Sequence, residues 1–370
     1  MYTPQHLKRM RNPPTAADLT TNPLPSLRIY LQILSLTLIA LFNLPSCIAQ
    51  SSNSLAQQTP VIRSSSSLVL LDVLSTDTKS GLPVKTLTAN DFEVLDNGHP
   101  VPIATFDSGA NFNTSPIALW FVVICNEGSE IPGLLKSEQE TRLRSTLFAG
   151  KEKLFRPALD HLDKIDRVGV AHWCDNGQSA IDLIPSKNRD FAISILAQTL
   201  QPSPFSLTHS DERRKGELAC QEMVRLILQN AHVNNPPPLP VLVFLHSDWT
   251  GMPDNELNEL VNQMLETSGI VFGIKDASVP DMRALSSEQG SVFHFMAQET
   301  GGHYLSVPPE KYGIALEEIL LQLHFRYQLG FVPPALDGKR HKLVVRFTKQ
   351  AQKNLKHVRL RSRLEYIPKP

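Results

Sequence analysis

The chain has 370 residues, 41% of them hydrophobic, which is enough for a packed core and too apolar for a disordered chain. Lys plus Arg equals Asp plus Glu at 36 each, so no global field favours nucleic acid or an anionic membrane. Four Cys, with no Cys-x-x-Cys pair among them, exclude a disulfide scaffold, a zinc ribbon and a thioredoxin-type site.

The first segment, 1–49, reads as a signal peptide or N-terminal anchor. Lys8, Arg9, Arg11 and Arg28 form a basic lead-in to the apolar run "IYLQILSLTLIALFNLP" (29–45). That run is short for a spanning helix, which needs about 20 apolar residues. Cys47 and Ala49 make a small-residue pair suited to cleavage after Ala49. "LPSC" (44–47) also resembles a lipoprotein box with a lipidated Cys47, and an uncleaved anchor is a third reading. Each of the three sends the remainder out of the cytoplasm, to the periplasm, the envelope or the medium. Membrane contact is then expected only through the signal, the anchor or Cys47. Residues 50–66, rich in Ser and Gln without an apolar period, read as a flexible linker.

Segment 67–110 carries short strand signals. "SLVLLDVLSTD" (67–77) is an extended apolar run, and Asn97-Gly98 is a strong hairpin turn signal. "DFEVLD" (91–96) turns Phe92 and Val94 inward against Glu93 and Leu95, and "VPIATFD" (101–107) completes the set. From 113 to 325 the pattern changes. Apolar strand runs at 117–125, 167–174, 180–185, 241–248 and 269–276 alternate with helical patterns at 135–163, 189–200, 211–231, 254–267 and 283–300. Such runs indicate a mostly parallel sheet covered by helices on both faces. A further helix, 313–325, leads into segment 326–368, with strands at 326–334, 341–348 and 358–367. In the last of these, Val358, Leu360, Ser362, Leu364 and Tyr366 face one way. Arg359, Arg361, Arg363 and Glu365 face the other and read as a solvated row. No stacking aromatics interleave them, so nucleic acid is not an expected partner. Neither flank can bury a core alone. The two are expected to pair into one antiparallel β unit with Val94, Leu343, Val345, Leu360 and Leu364 in its core, the α/β domain being an insertion.

"LTANDFEVLDNGHPVPIATFD" (87–107), "LVFLHSD" (242–248), "AQETGGHYLSV" (297–307), "LHFRYQLGFVPP" (323–334) and "DGKRHKLVVRF" (337–347) occur in this order. Over roughly 65–368 the chain resembles the VWFA-related family described from Acidobacteria. The resemblance implies a Rossmann-like von Willebrand factor A-type domain over 113–325 and a binding role rather than catalysis. It also implies a place for a divalent cation, Mg or Ca, held by an Asp-x-Ser-x-Ser loop, a Thr and an Asp. Here those places read Cys125, Glu127, Ser129, Glu217 and Asp248. Only Ser129 and Asp248 match. Glu127 and Glu217 offer substitute oxygens, but the Cys125 sulfur is a soft ligand, wrong for either ion. The site is therefore read as degenerate, without a cofactor. Asp248 alternatively accepts hydrogen bonds from loop amides.

Cys125 and Cys174 end two strands expected to be neighbours, so they form either a disulfide or two buried thiols. Cys220 falls on a helical stretch and is expected in the core. No Gly-x-Ser-x-Gly, Walker loop or His-Glu-x-x-His occurs, and His172 and His246 lack a third ligand for zinc. The expected function is an exported, non-enzymatic protein-binding or adhesion-type module. A structural or assembly component of the envelope is the alternative, and a hydrolase a remote one. A partner site is expected as an apolar patch near Trp249 and Met252.

Overall fold

The computed structural model describes residues 68–108, 116–125, 151–174, 179–199, 210–231, 238–246, 252–277 and 292–368, all within the compact unit Ser64–Pro370. The apolar run at 29–45 lies outside them. No helix among the described residues is long and apolar enough to cross a membrane.

The first flank supplies β1 (Val69–Asp77), β2 (Phe92–Asp96), β3 (His99–Val101) and β4 (Thr105–Ser108). The middle supplies β5 (Ile117–Cys125), α1 (Phe155–Leu159), β6 (Arg167–Cys174), β7 (Ser179–Ser186), α2 (Arg189–Thr199) and α3 (Ser210–Ala231). It continues with β8 (Leu239–His246), α4 (Asp254–Glu266), β9 (Ile270–Asp276), α5 (Val292–Thr300), β10 (Tyr304–Val307) and α6 (Tyr312–His324). The last flank supplies β11 (Tyr327–Phe331), β12 (His341–Phe347), α7 (Lys349–Asn354), β13 (Val358–Arg361) and β14 (Glu365–Tyr366).

The middle elements form a six-stranded sheet in the order β10-β9-β8-β5-β6-β7, parallel throughout except for β7. In β5, Leu119, Phe121 and Val123 pack with α1, α2 and α6, while Trp120, Val122 and Ile124 pack with α3, α4 and α5. Burial on both faces is why these strands read as unbroken apolar runs, and it makes the domain Rossmann-like. Gly169 in β6 lies under the Trp120 ring, where an added Cβ would sit 2.7 Å from the indole. Of the helical pattern at 135–163, the described part is α1 and a preceding 3-10 turn, Lys151–Leu154; residues 126–150 lie outside the description. Strand β10 was not expected from the sequence. It has four residues, too few for a periodic signal, and is recruited by its parallel pairing with β9.

The flanks form two four-stranded sheets, β13-β1-β11-β4 and β14-β12-β2-β3, whose pairs are antiparallel. Leu71 pairs with Leu329, and Val94 with Val345. Their shared core includes Leu71, Val73, Phe92, Val94, Tyr327, Leu329, Phe331, Leu343 and Tyr366, with Val345 and Leu360 packed against it. The fold is thus a mostly parallel α/β sheet with an antiparallel β unit built from both ends of the chain.

Three expectations for this unit are corrected. Leu95 keeps the face opposite Phe92 and Val94, as expected, but is buried there. Leu364 is 39% exposed and outside the core. The alternating row from 358 to 367 is not one strand: β13 ends at Arg361, and the Leu364 amide instead donates to the Glu299 carbonyl at 3.0 Å. At this bend Arg363 is drawn inward and donates to the Leu70 carbonyl at 2.6 Å and Ser268 Oγ at 3.2 Å. Arg361 is half-buried as well. The row of Arg is therefore not a uniformly solvated face.

The segment "LTANDFEVLDNG" has a physical reading at nearly every position. Thr88 and Asp91 form a reciprocal capping box. Asn97 and Gly98 have φ of 47° and 84°, the conformation that a tight type I′ hairpin demands, and Asn97 Oδ1 accepts from the Lys342 amide at 3.0 Å. Asp96 is buried and receives His341 Nδ1 at 2.8 Å and the Tyr366 hydroxyl at 3.1 Å. His341 Nε2 faces Asp337 at 3.2 Å, so a ring protonated on both nitrogens satisfies both carboxylates. Burial works against that charge, but the hydrogen bonds to Asp96 and Asp337 outweigh it and hold the His341 pKa above its ordinary value.

This cluster predicts a pH-dependent stability. Asp96→Ala should cost about 3 kcal/mol in urea denaturation, since it strands a buried imidazolium. A histidine with a raised folded-state pKa contributes stability fully below its unfolded pKa of about 6.5 and loses it as pH rises through the folded value. The difference between wild type and Asp96→Ala should therefore be largest below about pH 6.5 and shrink as pH rises above it.

Candidate functional site

From β5 the chain crosses to β6 on one side, whereas β8 lies on the other. The strand order thus reverses between β5 and β8, and in open parallel sheets the crevice at the carboxyl ends of such strands is the usual ligand site. Val123 pairs with Leu245 near the ends of these two strands. The loops that follow carry Glu127, Ser129 and Asp248, all three outside the described residues. Glu217 lies on α3 with its side chain outside the description. The structure therefore brings together the two strand ends from which Glu127, Ser129 and Asp248 depart. Among the described residues no group of His, Cys, Asp or Glu is arranged to hold a metal ion. Trp249 is outside the description, and Met252 is 1% exposed within the core beneath α4 and α5. Met252 is thus no part of an apolar patch. It sits one residue ahead of the Pro253 that opens α4 and is drawn into the core beside Leu257 and Val261.

Cys125 and Cys174 are register partners at the ends of parallel β5 and β6. Their side chains lie outside the description, and both readings of the pair stand. His172 bonds Asp182 through Nδ1 at 2.9 Å across β6 and β7, a half-buried hydrogen bond at the edge of the sheet. Cys220 on α3 is fully buried, and burial pushes its thiol pKa up to about 12.

A second concavity, about 400 Å³, lies where α5 and the start of β10 meet β12 and the end of β13. Two glycines shape it. A Cβ on Gly301, whose φ is +86°, would sit 2.5 Å from the Ser362 carbonyl carbon, and one on Gly302 would overlap the Val271 carbonyl oxygen. The "TGGHY" stretch is thus required for close backbone approach. His303 follows it and is buried. Desolvation, with Arg361 and Arg359 nearby, holds its pKa down to about 3, so the ring is neutral. Neither His303 nor Arg361 was singled out as a site residue from the sequence. The Gly-Gly pair before His303 was the one available signal.

No protein family and no curated protein matches the chain. Solved structures do. The conserved hypothetical protein BatB from Bacteroides thetaiotaomicron is 13% identical over 56% of this chain and 97% of its own, with a TM-score of 0.37. A von Willebrand factor type A protein from Catenulispora acidiphila is 10% identical over 76% and 74%, with a TM-score of 0.36. The vWF domain of the type V pili tip protein Mfa5 from Porphyromonas gingivalis is 9% identical over 57% and 96%, with a TM-score of 0.35. Similarity this low adds nothing to the strand order itself.

The burial of Cys220 predicts its reactivity. At about pH 8 a buried thiol with so high a pKa stays protonated, so iodoacetamide should leave Cys220 unmodified in the native protein and label it in urea. Mass spectrometry of the native, unreduced digest checks this. In the same digest of the unfolded protein, Cys125 and Cys174 appear either alkylated or joined.

Proposed function

We propose that the chain is an exported, non-enzymatic protein-binding module of the von Willebrand factor A type. Its partner docks on the carboxyl edge of the parallel sheet, between the ends of β5 and β8. The observation that carries this reading is the reversal of strand order there, with acids in both following loops, Glu127 after β5 and Asp248 after β8. The order of motifs from 87 to 347 supports the type of domain, and the basic lead-in with the apolar run at 29–45 supports export.

Recognition in this reading is independent of metal. Cys125 stands where a hard cation needs an Asp, and Glu217 where it needs a Thr. The two acids instead meet basic side chains or amides of the partner. A role in envelope assembly is the second reading. It is favoured by the burial of Met252, which takes one apolar anchor away from this edge.

A photo-crosslinking residue at position 127 or 248 should capture a protein from the native envelope, with and without chelator. The same probe at Lys187, exposed at the opposite edge of the sheet just after β7, should not. Capture from position 187 alone, or capture abolished by chelator, would refute the reading. Calorimetric titration with Mg²⁺ should show no micromolar binding, and Asp248→Ala should leave the titration unchanged.

A further inference from the structure

Among the described residues, the groove between α5, β10 and the last flank has two polar side chains without a hydrogen-bond partner. His303 is nine-tenths buried, and neither ring nitrogen has a hydrogen-bond partner. Arg361 lines the same groove, and among the described residues its guanidinium makes no hydrogen bond or ion pair. The charges that act on it are those of Arg359 and Glu318, while burial disfavours its own. A buried donor without an acceptor is a standing cost to the fold, and one met by a ligand is a recognition element. Two such groups on one concavity are hard to explain by packing, particularly since Gly301 and Gly302 are needed to bring the walls this close.

The lining also includes His294, Gln298, Tyr304 and Ser362, but one stretch of it is apolar. Val344 and Leu364 are exposed large side chains, and Leu360 lies beside Arg361. The volume, about 400 Å³, is at the small-molecule end of the usual range of roughly 300–1,000 Å³.

We propose that this groove binds an aliphatic monocarboxylate, with its carboxylate between Arg361 and His303 and its chain along Val344, Leu360 and Leu364. The neutral state of His303 fits one negative charge rather than two: the ring offers one N–H, and Arg361 offers the single positive charge. Glu318 near Arg361 further disfavours a dianion such as phosphate. An extended peptide is a poorer occupant. Of the strands that border the groove, β10 and β13 are four residues each and give too short an edge for an added strand, and β12 lies between β14 and β2 within its sheet. The inference is independent of the binding face at the carboxyl edge.

The test is calorimetric titration of the whole protein with octanoate, beside octylamine and octanol as probes of equal length. Octanoate should bind saturably at one site, with the amine and the alcohol at least about tenfold weaker. Arg361→Gln should weaken octanoate by about tenfold or more while leaving thermal unfolding of the free protein near that of wild type. In the wild type, octanoate should also move the imidazole nitrogen resonances of His303 and leave those of His172 in place, a readout that does not depend on any variant folding. Absence of saturable binding would overturn the proposal, as when water alone satisfies the two side chains. So would equal binding of octylamine, or His303 resonances that stay fixed through the titration.

Discussion

A strand cannot leave its backbone groups unpaired within a core, and here the strands that come first are paired by those that come last. β1 lies between β11 and β13, β4 pairs with β11, and β2 pairs with β12 on the side away from its own hairpin partner. The first flank therefore has no complete sheet until the chain has passed through the whole α/β domain and returned. One buried ion pair secures the return. Arg326, just beyond the end of α6, donates to Asp72 of β1 at 2.9 Å and to the Leu323 carbonyl at 2.8 Å, with its side chain 2% exposed. A charge so deeply placed tolerates little besides its partner, so the pair fixes where β11 starts and with which strand it aligns.

The same closure positions the groove. β13 is held by β1, so the chain beyond Arg361 can only run toward α5, where the Leu364 amide finds the Glu299 carbonyl and Gly301 admits the backbone of Ser362. Arg340 adds a second tie, donating to Asn262 and to the Asn258 carbonyl of α4 and to Glu365 of β14. A concavity walled on one side by the α/β domain and on the other by the β unit keeps its shape only while both are formed. The carboxyl edge of the sheet is different. It is set by the order β8-β5-β6 and owes nothing to the flanks.

What could be read from the sequence follows the range of the interactions involved. The buried strands of the α/β domain announced themselves because both faces of each are apolar, as in β5 and β8. The hairpin at Asn97-Gly98 was legible because its turn is a local backbone matter. The end of β13 was not. Val358 to Tyr366 alternates as a strand should, but a tertiary contact at Gly301 bends it, turning Arg363 inward and Leu364 outward. β10 escaped because it is short and exists by virtue of β9. For the sites, the proposal that the Cys125, Glu127 and Ser129 loop does without a cation rests on side-chain chemistry and is argued from residues alone. His303 and Arg361 lie far apart in the chain, and only the packing of the two layers brings them to one groove.

The central claim is that the two ends of the chain form one cooperative unit. Native-state hydrogen exchange in increasing denaturant tests it most directly. Amides of β1 and β2 from the first flank and of β11 and β12 from the last should open in a single step, with the same free energy and the same dependence on denaturant. If β1 and β2 stayed protected under conditions where β11 and β12 exchange freely, the flanks would be separate units and the account would be wrong.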